Sequence, residues 1–373
     1  MNLSSYIKRI PREIRFLTLI FLSSRFILTV IGVSSRNLLD RFYAYCPRWI
    51  YSRHLWLDIW GIHDSGWYLG IANEWYPAIL KVGESSFGFF PLYPLLMRLL
   101  GGVIGSNYIA GIIVSNICLV ITAVFLYKLV KLTADDDTAL RTMKYLIVFP
   151  SAFILSAVFA ESLFLALLVI CFYYAKKEKW LLVGVSGFLL SLTKAIGVVV
   201  ILPLLYEYLK AKRFKLQNLK RDIFFLLMIP LGPSVFAAYT YYLTGDFYAY
   251  VFAQISGWGT GVSNPLVLLY RNIFTDIHVV LSVLAIVLLL SVFCKRIGFS
   301  YWLLGILFII SSLMSGQGFI FSIGRFVVVI FPMYIALAEL GRDKGIDEAV
   351  TLFLAILQGC FMAFWSAGFN VII

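Results

Sequence analysis

The sequence is poor in the groups that most enzymes use in water. Only 13% of its 373 residues are charged, with 19 carboxylates and three histidines. The histidines are scattered and no Cys/His spacing matches a zinc site, which excludes a metal centre of that kind. Of the five cysteines, Cys118, Cys171, Cys294 and Cys360 fall in apolar runs and Cys46 stands alone outside them, so no disulfide framework is expected. There is no glycine-rich nucleotide-binding loop, no low-complexity linker and no break that would mark a second domain.

What fills the chain is apolar: 61% hydrophobic and 17% aromatic residues, with a mean hydropathy of +0.92. Apolar runs of roughly 17–22 residues recur, each long enough to cross a hydrocarbon core of about 30 Å. Backbone groups in lipid must pair within their own segment, which predicts helices, and the alternating strands of a membrane barrel do not occur. The fold class is therefore all-α, a polytopic transmembrane bundle of about eleven spans. The expected helices lie near 16–34, 106–127, 145–160, 162–175, 180–193, 195–209, 223–243, 277–294, 299–315, 325–340 and 348–370. Residues 1–373 read as a single integral membrane domain, with 35–105 as an outer loop and interfacial segment. Phe87–Gly105, broken by Pro91, Pro94 and Gly101-Gly102, is expected to be interfacial or re-entrant. The first apolar run has no small-residue cleavage site and is expected to remain as an anchor.

The formal charge of +12 orients the chain rather than suggesting nucleic acid. Most basic residues gather in alternate connections: Lys8 to Arg15, Lys128 to Lys144, Lys176 to Lys179, Lys210 to Arg221, Lys295-Arg296, and Arg342 with Lys344. That bias places the N-terminus in the cytoplasm.

The longest polar interruption runs from Ser34 to Ser86 and holds Asp40, Asp58, Asp64, Glu74 and Glu84. On a helix beginning near Asp64, Trp67, Tyr68, Ile71 and Trp75 share a face. Asp64 then has two readings, a helix cap or an outward-facing catalytic carboxylate. Glu161 lies in an apolar stretch where an ionisable group is costly unless paired or wet. Lys194, Arg271 and Arg325 fall on the same expected side. Each either snorkels to headgroups or grips a phosphate. Carboxylates beside such cations suggest group transfer from a lipid phosphate. Broken helices with buried charges would also suit a transporter or flippase of a lipid-linked or anionic substrate, although no inverted repeat relates the halves.

Several motifs carry a family resemblance. They are His63-Asp64-Ser65-Gly66-Trp67-Tyr68 with Ile71-Ala72, Phe89-Phe90-Pro91-Leu92-Tyr93-Pro94, Ser156-Ala157-Val158-Phe159-Ala160-Glu161-Ser162-Leu163-Phe164, Leu192-Thr193-Lys194-Ala195-Ile196-Gly197, Ala253-Gln254 with Gly257-Trp258, and Gly324-Arg325-Phe326 followed by Phe331-Pro332. In their order over residues 55–340 they resemble the prokaryotic relatives of the second mannosyltransferase of GPI-anchor synthesis, within the C-type superfamily of multi-spanning glycosyltransferases. The resemblance implies inverting transfer of mannose from a polyprenyl-phosphate-linked donor to an acceptor hydroxyl on a glycolipid, glycan or protein. It implies a prokaryotic plasma membrane with the site on the outer face, bathed by membrane lipids. Asp64 matches the acidic position of the first outer loop, the proposed general base, and Glu161 a second acidic position. Lys194 and Arg325 match basic positions, with Arg271 as a further phosphate candidate. His63, Trp67, Tyr68, Tyr93, Gln254 and Trp258 are the candidate substrate-binding residues, though an interfacial aromatic belt explains the aromatics as well. The family commonly has Trp where this chain has His63, and Arg where it has Lys194. Asp64 and Glu161 are the candidate ligands should Mg²⁺ or Mn²⁺ take part.

Overall fold

Every regular element in the computed structural model is a helix among the described residues, which are 10–39, 50–80, 86–258, 261, 263–316 and 322–369. Asp40, Cys46, Trp49 and Glu84 lie outside them. Three helices are long and apolar enough to cross a membrane: Arg12–Leu38, Asn107–Val130 and Lys344–Ser366. The pair Arg221–Met228 and Leu231–Thr244, bent by 42°, makes a fourth if taken as one span. Other apolar helices, such as Trp180–Ser191 and Phe299–Met314, are shorter. The expected eleven spans thus exceed the three or four that helix length and composition support.

Local chemistry sets the helix ends. Ser106 Oγ accepts from Ile109 N, Asp135 from Thr138 N and Asp343 from Ile346 N, each satisfying an orphan donor of the first turn. Asn107–Val130 is the central strut and packs on both Glu161–Lys176 and Leu92–Ile104. It packs against the 150–160 segment at Gly111, where an added Cβ would meet Val158 at 2.8 Å. Leu92–Ile104 is a continuous helix with Tyr93, Pro94, Met97 and Gly101 buried, inside the stretch expected to be re-entrant.

The expected helix over 145–160 is corrected. The helix that begins at Asp136 stops at Val148, because Phe149 is forced into an extended conformation (ψ 141°) ahead of Pro150. A short 3₁₀ helix follows at Ala152–Ser156, and the next α-helix starts at Glu161. Every residue from Ala152 to Ala160 is buried, so this irregular backbone needs partners from elsewhere. Gln358 Nε2 donates to the carbonyls of Ile147 (2.8 Å) and Phe149 (2.9 Å). Arg25 donates to Ser156 Oγ at 2.6 Å and Ala152 O at 3.4 Å, and Ser156 Oγ donates to Asn116 Oδ1 at 2.8 Å. Val158 N donates to Trp60 O at 3.0 Å. Side chains from three long helices thus hold open a break that delivers Glu161 to the interior.

Two further expected helices are also broken. Residues 195–209 begin as a 3₁₀ helix, Ala195–Val200, before Ile201–Ala211. Residues 325–340 divide into Ile323–Val328 and Phe331–Leu340, with Pro332 in the first turn of the second.

Candidate active site

Four charged side chains from four separate segments meet in the interior. Glu161 opens its helix and is fully buried. Its Oε1 accepts from Lys194 Nζ and from Arg325 Nε, both at 2.8 Å. Its Oε2 is buried without a hydrogen-bond partner among the described residues. Arg325 turns its Nη1 to Asp64 Oδ2, closing the chain Asp64–Arg325–Glu161–Lys194. Two carboxylates and two cations make the cluster formally neutral. Neutrality is what permits such burial, because a lone ion there would pay a desolvation cost of several kcal/mol.

Local backbone explains why each side chain reaches the centre. Lys194 follows the Trp180–Ser191 helix in an extended conformation (φ −154°, ψ 139°), just before the 3₁₀ turn. Arg325 lies in the first turn of the short Ile323–Val328 helix. Asp64 stands at the position preceding Ser65–Glu74, yet its side chain accepts no capping hydrogen bond. The capping reading is therefore not what the geometry contains: the carboxylate faces Arg325, and Oδ1 keeps no partner among the described residues. The Arg325 guanidinium lies over the Phe159 ring at 4.8 Å and the Lys194 ammonium over Phe326 at 5.9 Å. Phe159 and Phe326 stand in the motifs of the resemblance, each within two positions of Glu161 or Arg325, but carry no role among the candidate site residues read from sequence.

His63 adopts a left-handed conformation (φ 54°) and sets its ring edge-on to Trp365 at 5.6 Å. An aromatic partner at this distance accounts for a ring at this position, whether imidazole or indole. Burial pushes the His63 imidazole down to about 4, with Asp64 raising it and Arg325 lowering it. Tyr51, packed on Tyr108, is pushed up to about 12 by burial and then by Asp58 and Asp64.

The other candidates divide. Tyr68 is buried beside the cluster, edge-on to Phe159, Phe89 and Tyr93. Trp67 is half-buried and stacked on Phe89. Tyr93 is fully buried, its hydroxyl 3.1 Å from Gly111 O, to which it donates, and 2.8 Å from Ser115 Oγ. Gln254 Nε2 donates to Gly88 O at 3.4 Å. Arg271 is exposed at the end of Pro265–Arg271 and forms no ion pair with the cluster. Trp258 ends the Ala249–Trp258 helix, and its side chain lies outside the described residues. Asp58 belongs to a different buried pair, with Arg36, and its Oδ1 accepts from the backbone of Tyr51 and Ser52.

Asp64 and Glu161 are also the carboxylates that would hold Mg²⁺ or Mn²⁺, with Glu161 Oε2 not taken by a cation among the described residues. Asp64 and Glu161 each give an oxygen to a cation, and no group of three or more His, Cys, Asp or Glu side chains could hold a metal among the described residues.

Residues 90–242, about two fifths of the chain, match the family described as dolichyl-phosphate-mannose-protein mannosyltransferase. No curated protein sequence matches significantly. Among solved structures the chain is similar to the Archaeoglobus fulgidus oligosaccharyltransferase in its apo form, at 15% identity and a TM-score of 0.48, covering 94% of this chain and 56% of that one. The same enzyme in complex with Zn and sulfate gives 15% identity and a TM-score of 0.49, with 92% and 53% covered. Tethered with an acceptor peptide it gives 13% and 0.47, with 94% and 55% covered. The chain spans about half the length of these structures. The matched segment lies within residues 55–340, over which the sequence motifs resemble the C-type, multi-spanning glycosyltransferases.

Proposed function

We propose that the chain is an inverting mannosyltransferase that draws its sugar from a polyprenyl-phosphate-linked donor and delivers it to an acceptor hydroxyl at the outer face of the membrane. The observation that carries this reading is the buried network in which Arg325 bridges Asp64 and Glu161 while Lys194 closes it. The name of the matched family, which includes a dolichyl-phosphate-mannose donor, supports the choice of a lipid phosphate and of mannose.

The chemistry follows from which donors and acceptors the network leaves open. Asp64 Oδ1 takes the proton of the acceptor hydroxyl as that oxygen bonds to the anomeric carbon. On the opposite face the bond from the anomeric carbon to the phosphate oxygen breaks, and the lipid phosphate leaves with the electron pair. Lys194 and Arg325 retain N–H groups beyond those given to the carboxylates, and these meet the charge that develops on the phosphate. Glu161 keeps both cations in place. A positioned general base is worth about 10²–10⁴ in rate, and alignment of the substrates adds to it.

Purified full chain in phospholipid nanodiscs, given polyprenyl-phosphate mannose and a panel of glycolipid acceptors, should form a mannosylated product of inverted anomeric configuration. Retention of configuration would remove the single-displacement mechanism; transfer only from a soluble nucleotide sugar would remove the lipid donor. Orientation has its own test. In a cysteine-free background, single cysteines at Lys215 and Arg271 should react with an impermeant reagent from opposite sides of sealed vesicles. Reaction from one side alone would overturn the outer-face assignment.

A further inference from the structure

A second basic site lies at the far end of the helical hairpin that carries Lys194. Six residues of 3₁₀ helix and eleven of α-helix run from Lys194 to Ala211, a rise of roughly 28 Å, close to the ~30 Å of a hydrocarbon core. Beyond Ala211 the chain forms an open surface cleft of about 320 Å³ lined by Lys212, Arg213, Gln217, Asn218 and Lys220 among others, with no carboxylate in the lining.

The turn around this cleft is held by specific bonds. Arg213 and Phe214 both take left-handed conformations (φ 55° and 54°), a costly pair for side-chain-bearing residues. Phe214 N returns to Leu209 O at 2.8 Å, and Asn218 Nδ2 donates to Lys212 O at 3.0 Å. Tyr208 clamps the closing segment of the loop: its hydroxyl accepts from Lys220 N at 3.0 Å and donates to Asp222 Oδ1 at 2.6 Å. Lys212 is neutralised by Glu178 at 2.8 Å. Arg213 and Lys220 are exposed and pair with no carboxylate among the described residues. Beside them, Phe214 and Leu216 stand 59% and 81% exposed.

Two uncompensated cations over a polar cleft, flanked by protruding apolar side chains, match the phosphate of an anionic phospholipid with its acyl region alongside. We infer that the Ala211–Lys220 turn is a headgroup site for anionic phospholipid, at the membrane face opposite the Asp64–Arg325 cluster. Arg213 and Lys220 hold the phosphate, and Phe214 and Leu216 seat the turn in the lipid. The basic bias that places this loop in the cytoplasm brings it to the leaflet where anionic lipid attracts such segments.

Detergent-purified full chain, titrated with phosphatidylglycerol or phosphatidylcholine and read by native mass spectrometry, tests this. The first lipid bound should show at least about a tenfold preference for phosphatidylglycerol. Arg213→Ala with Lys220→Ala should weaken phosphatidylglycerol about ten- to a hundredfold and leave phosphatidylcholine unchanged. Arg213→Lys with Lys220→Arg should keep most of the preference, which serves as the control if the alanine protein is unstable. Phe214→Ser with Leu216→Ser should weaken phosphatidylglycerol while sparing inorganic phosphate. Full phosphatidylglycerol preference in the double-alanine protein overturns the inference. So does displacement of the lipid by inorganic phosphate at equal concentration, which would make the site one for free anions.

Discussion

Lys194 and Arg325 donate to the same atom, Oε1 of Glu161, each at 2.8 Å. One fully buried carboxylate oxygen thereby fixes two cations that reach it from separate helical breaks. Glu161 has no exposed surface through which a substrate could meet it. In the proposed mechanism its place is behind the reacting groups, holding the side chains that face them.

Removing that charge alone should be expensive. Glu161→Gln keeps the shape but leaves Lys194 and Arg325 with only Asp64 to balance them. Breaking a buried pair in this way typically costs about 3–5 kcal/mol. The variant should melt well below the parent and lose transfer. Adding Lys194→Met restores neutrality beside the Phe326 ring, so the double variant should recover much of the melting temperature without recovering turnover. Equal melting of parent and Glu161→Gln would show that the network carries no structural weight.

Asp64→Asn separates proton acceptance from shape. The amide oxygen still accepts from Arg325, so donor binding should change by less than about threefold while turnover falls at least about a hundredfold. Single-turnover kinetics with saturating donor make the comparison. A variant that turns over at the parent rate would remove Asp64 from the chemistry.

Much of the fold class was legible because hydropathy and charge bias act over whole segments. The run Tyr145–Ala160 shows where that reading stopped. Its apolar composition looks like a span, but Pro150 breaks it, and the partners that make the break tolerable, Arg25, Asn116 and Gln358, are distant in sequence. Asp64 and Glu161 stood out because carboxylates are rare here. Their connection did not, since Arg325 lies 164 residues from Glu161 and 261 from Asp64. Asp64 invited a capping reading because local spacing cannot tell a backbone partner from a distant guanidinium. Tyr93 stands in a motif of the resemblance, yet its hydroxyl lies against Gly111 and Ser115 of the central helix.

Phosphate binding by the same cations has a distinct signature. Arg325 gives Nε to Glu161 and Nη1 to Asp64, a fork that a lysine cannot reproduce. Arg325→Lys should therefore weaken binding of polyprenyl-phosphate mannose, and Arg325→Ala or Lys194→Ala should weaken it by about ten- to a hundredfold. The sugar-free polyprenyl phosphate should lose affinity in parallel, because the contact is to the phosphate. Parent-like affinity in both alanine variants would leave these cations with the carboxylates alone.

His63 predicts an acid limit on stability. Its imidazole titrates at about 4 in the folded chain, chiefly through burial, against 6.5 when unperturbed. Between those values the unfolded chain takes up a proton that the folded site refuses. Stability contributed by neutral His63 is therefore complete above about pH 6.5 and is lost as the pH falls towards 4. Asp64 and Arg325, the charged groups that act on the ring, oppose each other and leave burial to set the sign. His63→Gln removes the titration, so its melting temperature should fall less than the parent's between pH 6.5 and 4. His63→Trp should flatten the same window while keeping an aromatic edge against Trp365. Identical slopes in all three proteins would mean that the imidazole is as free to protonate in the folded chain as in the unfolded one.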